Sequence, residues 1–329
     1  MFNIIKRTLG LIIFVGLGVV GMMYFGPREK VDPEISFDPD TLGADVDGYL
    51  RDVEADYTQL TDGVAKQVFW AGEAGTRTRD VIVYLHGFSA TSMELRPVPD
   101  RVAADLDANL YFARLPGHGL PGAAMGSVHA DDWVMALAEA MAIARQLGDR
   151  VILMTTSTGG TLAAVGLDFP DIMRDVEGII FISPNFGVHN KLAFLGRLPF
   201  SRVWFPWLAG NERSWKPLND QQAKFWTTKY PPHSIIPMMS LIAHTESMDF
   251  STTNIPALFY FSNDDQVVDA AITHEVAKMW GGKVEIVNPV LGDQPDSSNH
   301  VIAGDIVSPS QTAPAITAMS KWIRALPIG

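Results

Sequence analysis

The sequence predicts an α/β protein: a mostly parallel central sheet with helices on both faces and one inserted helical cap. Three observations carry this. Continuous apolar runs such as "DVIVYLHG", "RVILMTT" and "VEGIIFI" recur along the chain, and unbroken apolar strands are those buried on both faces. Helical patterns lie between them, the alternation that builds parallel crossovers. From about Val188 to Ser251 the alternation stops, and a stretch rich in Trp, Phe, Pro and Met takes its place. A segment of that size is too long for a structureless loop in a compact domain.

Composition narrows the function classes. Hydrophobic residues make up 47% of the 329 positions and charged residues 19%, enough for a sizeable core and too little charge for a disordered chain. A formal charge of −12 without any basic patch excludes a nucleic-acid backbone as partner. The chain has no cysteine, so thiol catalysis, disulfides, thiolate metal sites and a lipoprotein anchor are excluded.

The elements follow in order. Lys6 and Arg7 precede "TLGLIIFVGLGVVGMMYFG", Thr8 to Gly26, an uncharged run of about 19 residues, close to the ~20 that span a bilayer as a helix. The exit "MMYFGPREK" lacks a small-x-small cleavage pattern. The run therefore reads as an uncleaved signal anchor over residues 1–30, with a cleaved signal as the alternative. Basic residues ahead of a leading apolar segment place the following domain outside the cytoplasm, in a periplasmic setting, although Arg28 and Lys30 nearly balance them. Gly16-x-Gly18-x-x-Gly21 spells a dinucleotide fingerprint, but inside an apolar span it has neither the strand nor the helix start that the motif needs.

Residues 31–66, rich in Pro, Asp and Gly at first, read as a linker and acidic lead-in ending in a short amphipathic helix, "DVDGYLRDVEADY". "KQVFWA", "DVIVYLHG" and "ANLYFARLPGHG" then supply strands. "DDWVMALAEAMAIARQLG" is a helix with Trp133, Leu137, Ala140, Met141 and Ala144 on one face and Gly148 as its stop. Further strands are "RVILMTT", "VEGIIFISPNFG", "IPALFYFSNDD" and "GKVEIVNPV", with helices "GTLAAVGLDF" and "AAITHEVAKMW" and a last helix from about Ala313 to Leu326. The core therefore spans 67–187 and 252–329, and the cap 188–251. The cap's aromatics, Trp204 to Tyr230, are either its own small core or the lining of an apolar acyl pocket or membrane-facing surface.

The chemistry centres on "VILMTTSTGGTLAAVGL", where a strand turns sharply into a helix around Ser157. Such a turn exposes a hydroxyl at a helix N-terminus, and the N–H of Thr158 can help hold an oxyanion. Gly159 supplies the small residue at Ser+2, whereas Thr155 stands at Ser−2 where G-x-S-x-G has Gly. From this stretch alone Ser157 reads equally as a nucleophile or as a helix N-cap. A serine nucleophile needs a base and an orienting acid, in the chain order Ser, acid, His for this type of turn. Asp264 and Asp265 in "FYFSNDDQVVD" stand at the end of a strand, and His300 in "DSSNHVIAGD" lies between the last strand and last helix.

With these motifs the chain resembles the α/β-hydrolases of the monoacylglycerol lipase and carboxylesterase kind, over about Gln67 to Ile323. "VYLHGFSA" is similar to the family's His-Gly oxyanion strand end, which implies Phe88 N–H as the second oxyanion donor. "RLPGHG" is similar to the loop after the next strand, and "NHVIAGD" to the histidine loop, which implies His300 as the base. "SNDDQVV" resembles the acid segment Gly-x-x-Asp-x-Val-Val and selects Asp265 over Asp264, with Ser262 where Gly begins the pattern. The cap sits where the family inserts its lid.

The expectation is a membrane-tethered serine hydrolase for carboxylic esters, with Ser157, His300 and Asp265 catalytic, Phe88 and Thr158 as oxyanion donors and His86, Gly87 and Gly159 as supporting residues. No cofactor or metal is expected, and a small-molecule or lipid ester is the expected partner. His86 and His118 are read as holding their loops, His274 as a surface residue, and His129 with Asp131 and Asp132 as a capped helix start. The alternatives are another reaction on the same residues (amide, thioester, lactone or C–C bond hydrolysis, or acyl transfer) and a catalytically silent binding protein. The sequence leaves the oligomeric state open.

Overall fold

The computed structural model describes residues 2–292 and 296–327; the chain ends at 1 and 328–329 lie outside the described residues. Its strands are β1 Gln67–Phe69, β2 Thr78–Leu85, β3 Asn109–Phe112, β4 Gly148–Thr156, β5 Val176–Ile182, β6 Arg213–Ser214, β7 Lys229–Tyr230, β8 Ala257–Tyr260 and β9 Val284–Val287. The helices are α1 Phe2–Phe25, α2 Val46–Ala55, α3 Val98–Asp105, α4 Ala130–Leu147, α5 Thr158–Gly166, α6 Pro170–Met173, α7 Ser201–Ala209, α8 Asp220–Phe225, α9 Ile236–Thr245, α10 Ala270–Met279 and α11 Pro309–Arg324. Seven strands form one sheet in the order β1-β3-β2-β4-β5-β8-β9. Only the β1–β3 pair within it is antiparallel.

Strand periodicity divides the core into two. Val81, Val83, Leu85, Val151, Leu153, Ile179, Phe181 and Phe259 face one cluster, with Trp133, Leu137, Leu162, Met239 and Val276 from α4, α5, α9 and α10. Ile82, Tyr84, Ile152, Met154, Ile180, Ile182 and Tyr260 face the other, with Val98 and Val102 of α3 and Met319, Trp322 and Ile323 of α11. This doubly covered sheet is why the strands read as unbroken apolar runs. Each fully buried Leu, Ile or Phe contributes about 1.5–3 kcal/mol relative to an exposed one.

Gly148 ends α4, as the sequence predicts, and in extended conformation begins β4 at once. The structure departs from the sequence reading in two places. The last helix starts at Pro309, earlier than Ala313, and Pro314 in its interior does not break it. The stretch 188–251 contains α7, α8 and α9 together with a short β6–β7 ribbon, although its sequence shows no clear strand.

The segment after α1 also lies against the body, in contrast to a free linker. Ala130 N–H donates to Glu29 Oε1 at 2.9 Å, and Arg202 pairs with Glu29 Oε2 at 2.6 Å. Val31 and Leu42 join the core.

Candidate active site

β4 delivers Ser157 at its C-terminal end, where the chain must reverse into α5 within one residue. Ser157 adopts φ +50°, ψ −115°, a conformation that L-residues rarely hold. The turn is tied down by Ser157 N–H to Ile182 O (3.0 Å) and by Asn185 N–H to Ser157 O (3.1 Å). Gly159 makes the reversal possible: a Cβ there would stand 2.2 Å from the carbonyl oxygen of Leu85. Thr155 fits beside it because its hydroxyl donates to Ile180 O at 2.9 Å, across to β5. Ser157 occupies the N-cap position of α5, yet its hydroxyl makes no capping hydrogen bond.

The hydroxyl meets His300 instead. His300 Nε2 lies 3.0 Å from Ser157 Oγ, and Nδ1 lies 2.7 Å from Asp265 Oδ2. With Asp265 ionised, Nδ1–H donates to the carboxylate and Nε2 is left to accept from the serine. Asp265 follows β8, and its other oxygen accepts from the N–H groups of Val267 (2.8 Å) and Val268 (3.0 Å). Asp264 is exposed and turned away, so of the two adjacent acids only Asp265 meets the histidine. Asp296 holds the histidine loop by accepting from the N–H of His300 (3.2 Å) and of Val301 (2.9 Å).

Electrostatics favour a charge on His300. Burial alone lowers its pKa, but the charge and hydrogen bond of Asp265, with Glu94 and Asp296 behind them, raise it above the ordinary value. Ser157, Asp265 and His300 are 5%, 2% and 9% exposed, so these interactions act with little screening by water.

Around the serine, the N–H groups of Phe88, just past β2, and of Thr158, the first residue of α5, have no acceptor among the described residues. Gly87 lets β2 approach the elbow, since a Cβ there would lie 3.2 Å from Ser157 Cβ and 2.8 Å from Glu94 Oε1. His86 bridges two loops: its Nδ1 lies 2.9 Å from Gly87 O, and its Nε2 accepts from Leu115 N–H at 3.1 Å. Burial, then neighbouring His118, keeps its imidazole well below the usual pKa and hence neutral. His118 bonds within its own turn through Pro116 O, at 3.1 Å. His129 and Asp132 form a capping box at the start of α4, and His274 contacts Asn263 at 2.8 Å, away from the site.

The stretch 188–251 rests on this loop. The Tyr230 ring lies 5.3 Å from the Phe88 ring, edge to face, and Thr227 N–H donates to Ser89 O at 2.7 Å. Phe225 and Trp226 form a small core with Val64 and Ala90, Phe205 and Tyr230 join the main core, and Trp207 is 91% exposed. The aromatics therefore divide between internal packing and solvent.

Residues 82–304, which include every site residue above, match the family model described as "Alpha/beta hydrolase family". The chain belongs to the alpha/beta hydrolase family. Among curated proteins, Carboxylesterase 20 of Arabidopsis thaliana is 32% identical over 134 residues, covering 36% of this chain and 41% of that protein. The chain thus spans about two fifths of the length of the curated relative it matches.

Among solved structures of the fold, a metagenome-derived lipolytic enzyme of the LipS and LipT pair aligns with TM-score 0.65 at 19% identity, over 81% of this chain and 99% of that chain. The monoglyceride lipase of Saccharomyces cerevisiae, as a soluble variant, gives 0.60 at 10% identity, over 82% and 97%. The monoacylglycerol lipase of Paleococcus ferrophilus gives 0.57 at 14%, over 78% and 97%. At these identities the likeness concerns the hydrolase fold.

Two residues of the candidate site escaped the sequence reading. Glu94 is buried against Gly87 and Tyr84. Its only signal is an acid inside "SATSMELRP", and no spacing rule marks it. Asp296 is likewise invisible before the histidine loop folds around it.

Proposed function

We propose that the chain is a membrane-tethered serine hydrolase that cleaves carboxylic esters. The observation that carries this reading is the continuous hydrogen-bonded line from Ser157 through His300 to Asp265, set on a strained elbow beside the unpaired N–H groups of Phe88 and Thr158. Ser157 Oγ attacks the ester carbonyl carbon while His300 Nε2 takes its proton. Asp265 holds the imidazole tautomer and stabilises the imidazolium. The N–H groups of Phe88 and Thr158 receive the developing oxyanion. Collapse of the tetrahedral intermediate releases the alcohol, which takes the proton from His300, and leaves an acyl-serine. Water, deprotonated by His300, then attacks the acyl carbon; collapse frees the acid and returns the proton to Ser157.

We further read residues 188–251 as a cap over the site, supported by the contacts of Tyr230 and Thr227 with the loop of Phe88 and Ser89. A lipidic or medium-chain acyl ester, such as a monoacylglycerol, fits the apolar cap and the names of the structural neighbours. Tethering is supported by α1, whose stretch Lys6–Phe25 is long and apolar enough to cross a membrane. Its end sits beside the cap: Phe200 N–H donates to Pro27 O at 2.9 Å. Near this junction the cap exposes Val203, Trp207 and Leu208. The topology proposed is a single-pass anchor with the hydrolase outside the cytoplasm.

The test is hydrolysis of p-nitrophenyl esters of increasing chain length by the purified chain and by Ser157→Ala, together with labelling by a fluorophosphonate. Hydrolysis and label that both vanish in the variant are the expected result. A wild-type chain inert to every ester and to the label overturns the proposal.

A further inference from the structure

Glu94 closes the short 3-10 turn Ser92–Glu94 that follows the Phe88 loop, and it is 3% exposed. Its side chain ties together the pieces that build the site. Oε2 accepts from Gly87 N–H at 2.8 Å, one residue before Phe88, and from the Tyr84 hydroxyl at 3.1 Å. Tyr84 Oη in turn lies 3.0 Å from Thr156 Oγ1, one residue before Ser157. The loop carrying His300 closes on the Glu94 backbone. Gly304, at φ +94°, permits this, since a Cβ there would stand 2.7 Å from Glu94 O. Among the described residues no Lys or Arg pairs with the carboxylate. A buried carboxylate held only by neutral donors is costly to ionise, and such a group beside a reacting centre is a candidate for function.

We propose that Glu94 is a positioning residue: by holding Gly87 N–H it sets the Phe88 N–H toward the oxyanion, and its charge backs the imidazolium formed on His300. The inference rests on the Ser157, His300 and Asp265 reading. Burial pushes the Glu94 carboxyl up to about 7, against the opposing effects of the Gly87 N–H, His300 and Tyr84. The titratable groups facing Glu94 are Tyr84 from β2 and His300 from the loop before α11. His300 is faced in addition by Asp265 and Asp296. Burial first, then the charge of Glu94, holds the Tyr84 phenol well above its usual range, so it stays a donor.

The experiment is the pH profile of kcat and kcat/KM on a p-nitrophenyl ester for the full chain, Glu94→Gln, Glu94→Ala and Ser157→Ala. Glu94→Ala removes the acceptor of Gly87 N–H, and kcat falls about 10- to 100-fold with KM nearly unchanged, because the oxyanion contact is made in the transition state. Glu94→Gln keeps an acceptor oxygen but no charge. It recovers most of that kcat, while the acid limb of kcat/KM moves to lower pH by about 0.5–1 unit. If Glu94→Ala does not fold, the acid limb of Glu94→Gln decides alone. A Glu94→Gln profile superimposed on wild type, with Ser157→Ala inactive, overturns the proposal and leaves the nucleophile standing. A Ser157→Ala chain as active as wild type overturns the nucleophile instead, and the role of Glu94 falls with it.

Discussion

His300 works between opposing effects. Burial disfavours its charge, and three carboxylates favour it more strongly, Asp265 above the others. In the proposed role of base it must be neutral, so kcat/KM is expected to fall as pH drops through a pKa above the ordinary histidine value of 6.5. Asp265→Asn removes the largest raising contribution and, with its amide oxygen held by the Val267 and Val268 N–H groups, turns an NH2 donor toward Nδ1 in place of the acceptor. The acid limb should then move to lower pH, and kcat should fall about 10³–10⁴-fold. A pH–rate profile of this variant checks both, and an unmoved limb would deny Asp265 its electrostatic role. The same residue scale explains why Asp265 and not Asp264 is recruited. Adjacent side chains on a turn point apart, and only Asp265 is aimed inward, where Val267 and Val268 N–H groups hold it.

At the scale of the element, β4, its elbow and α5 act as one rigid device. Gly159 sits where α5 crosses the end of β2, with no room for a Cβ before the Leu85 carbonyl. Gly159→Ala is expected to force strand and helix apart, costing about 2–3 kcal/mol and most of the activity through a misplaced Ser157. Gly72→Ala, at a position with nothing within 4 Å, is the control, and equal melting temperatures for the two variants would contradict the argument. Thr155 departs from the family's glycine at Ser−2 without loosening the turn, because its hydroxyl bonds Ile180 O and the helix crosses on the other side, at Gly159. The neighbouring loop "RLPGHG" is anchored by Arg114, which forms a buried two-point pair with Glu54 of α2 at 2.8 Å for both contacts.

At the scale of the whole molecule, none of the described side chains of Lys6–Phe25 in α1 is buried in the core. The segment after it is fastened by Glu29 to Arg202 and to the start of α4. Deleting residues 2–25 should therefore release the chain from the membrane pellet while leaving hydrolysis of a short soluble ester within about twofold of the full chain. Sedimentation after carbonate extraction reads the first and a p-nitrophenyl assay the second. A full chain that is found in the soluble fraction would refute the tether. The fastening also holds the stretch 188–251 next to the end of α1, where Val203, Trp207 and Leu208 are exposed.

The sequence by itself determined the α/β class, the strands and helices of the sheet, and the order Ser157, acid, His300. These follow from local signals: apolar runs, glycine at a turn, and chain order within a known topology. It also marked His86 as a loop fastener, because a histidine beside glycine at a strand end has a local reading. Only the tertiary structure decided what depends on which surfaces meet. It brought Ser157 and His300, 143 positions apart, to hydrogen-bond distance, seated Glu94 beneath Gly87, docked residues 26–43 on the body, and divided the aromatics of residues 188–251 between core and solvent. Burial and long-range hydrogen bonding belong to the packed chain, and no short window of sequence contains them.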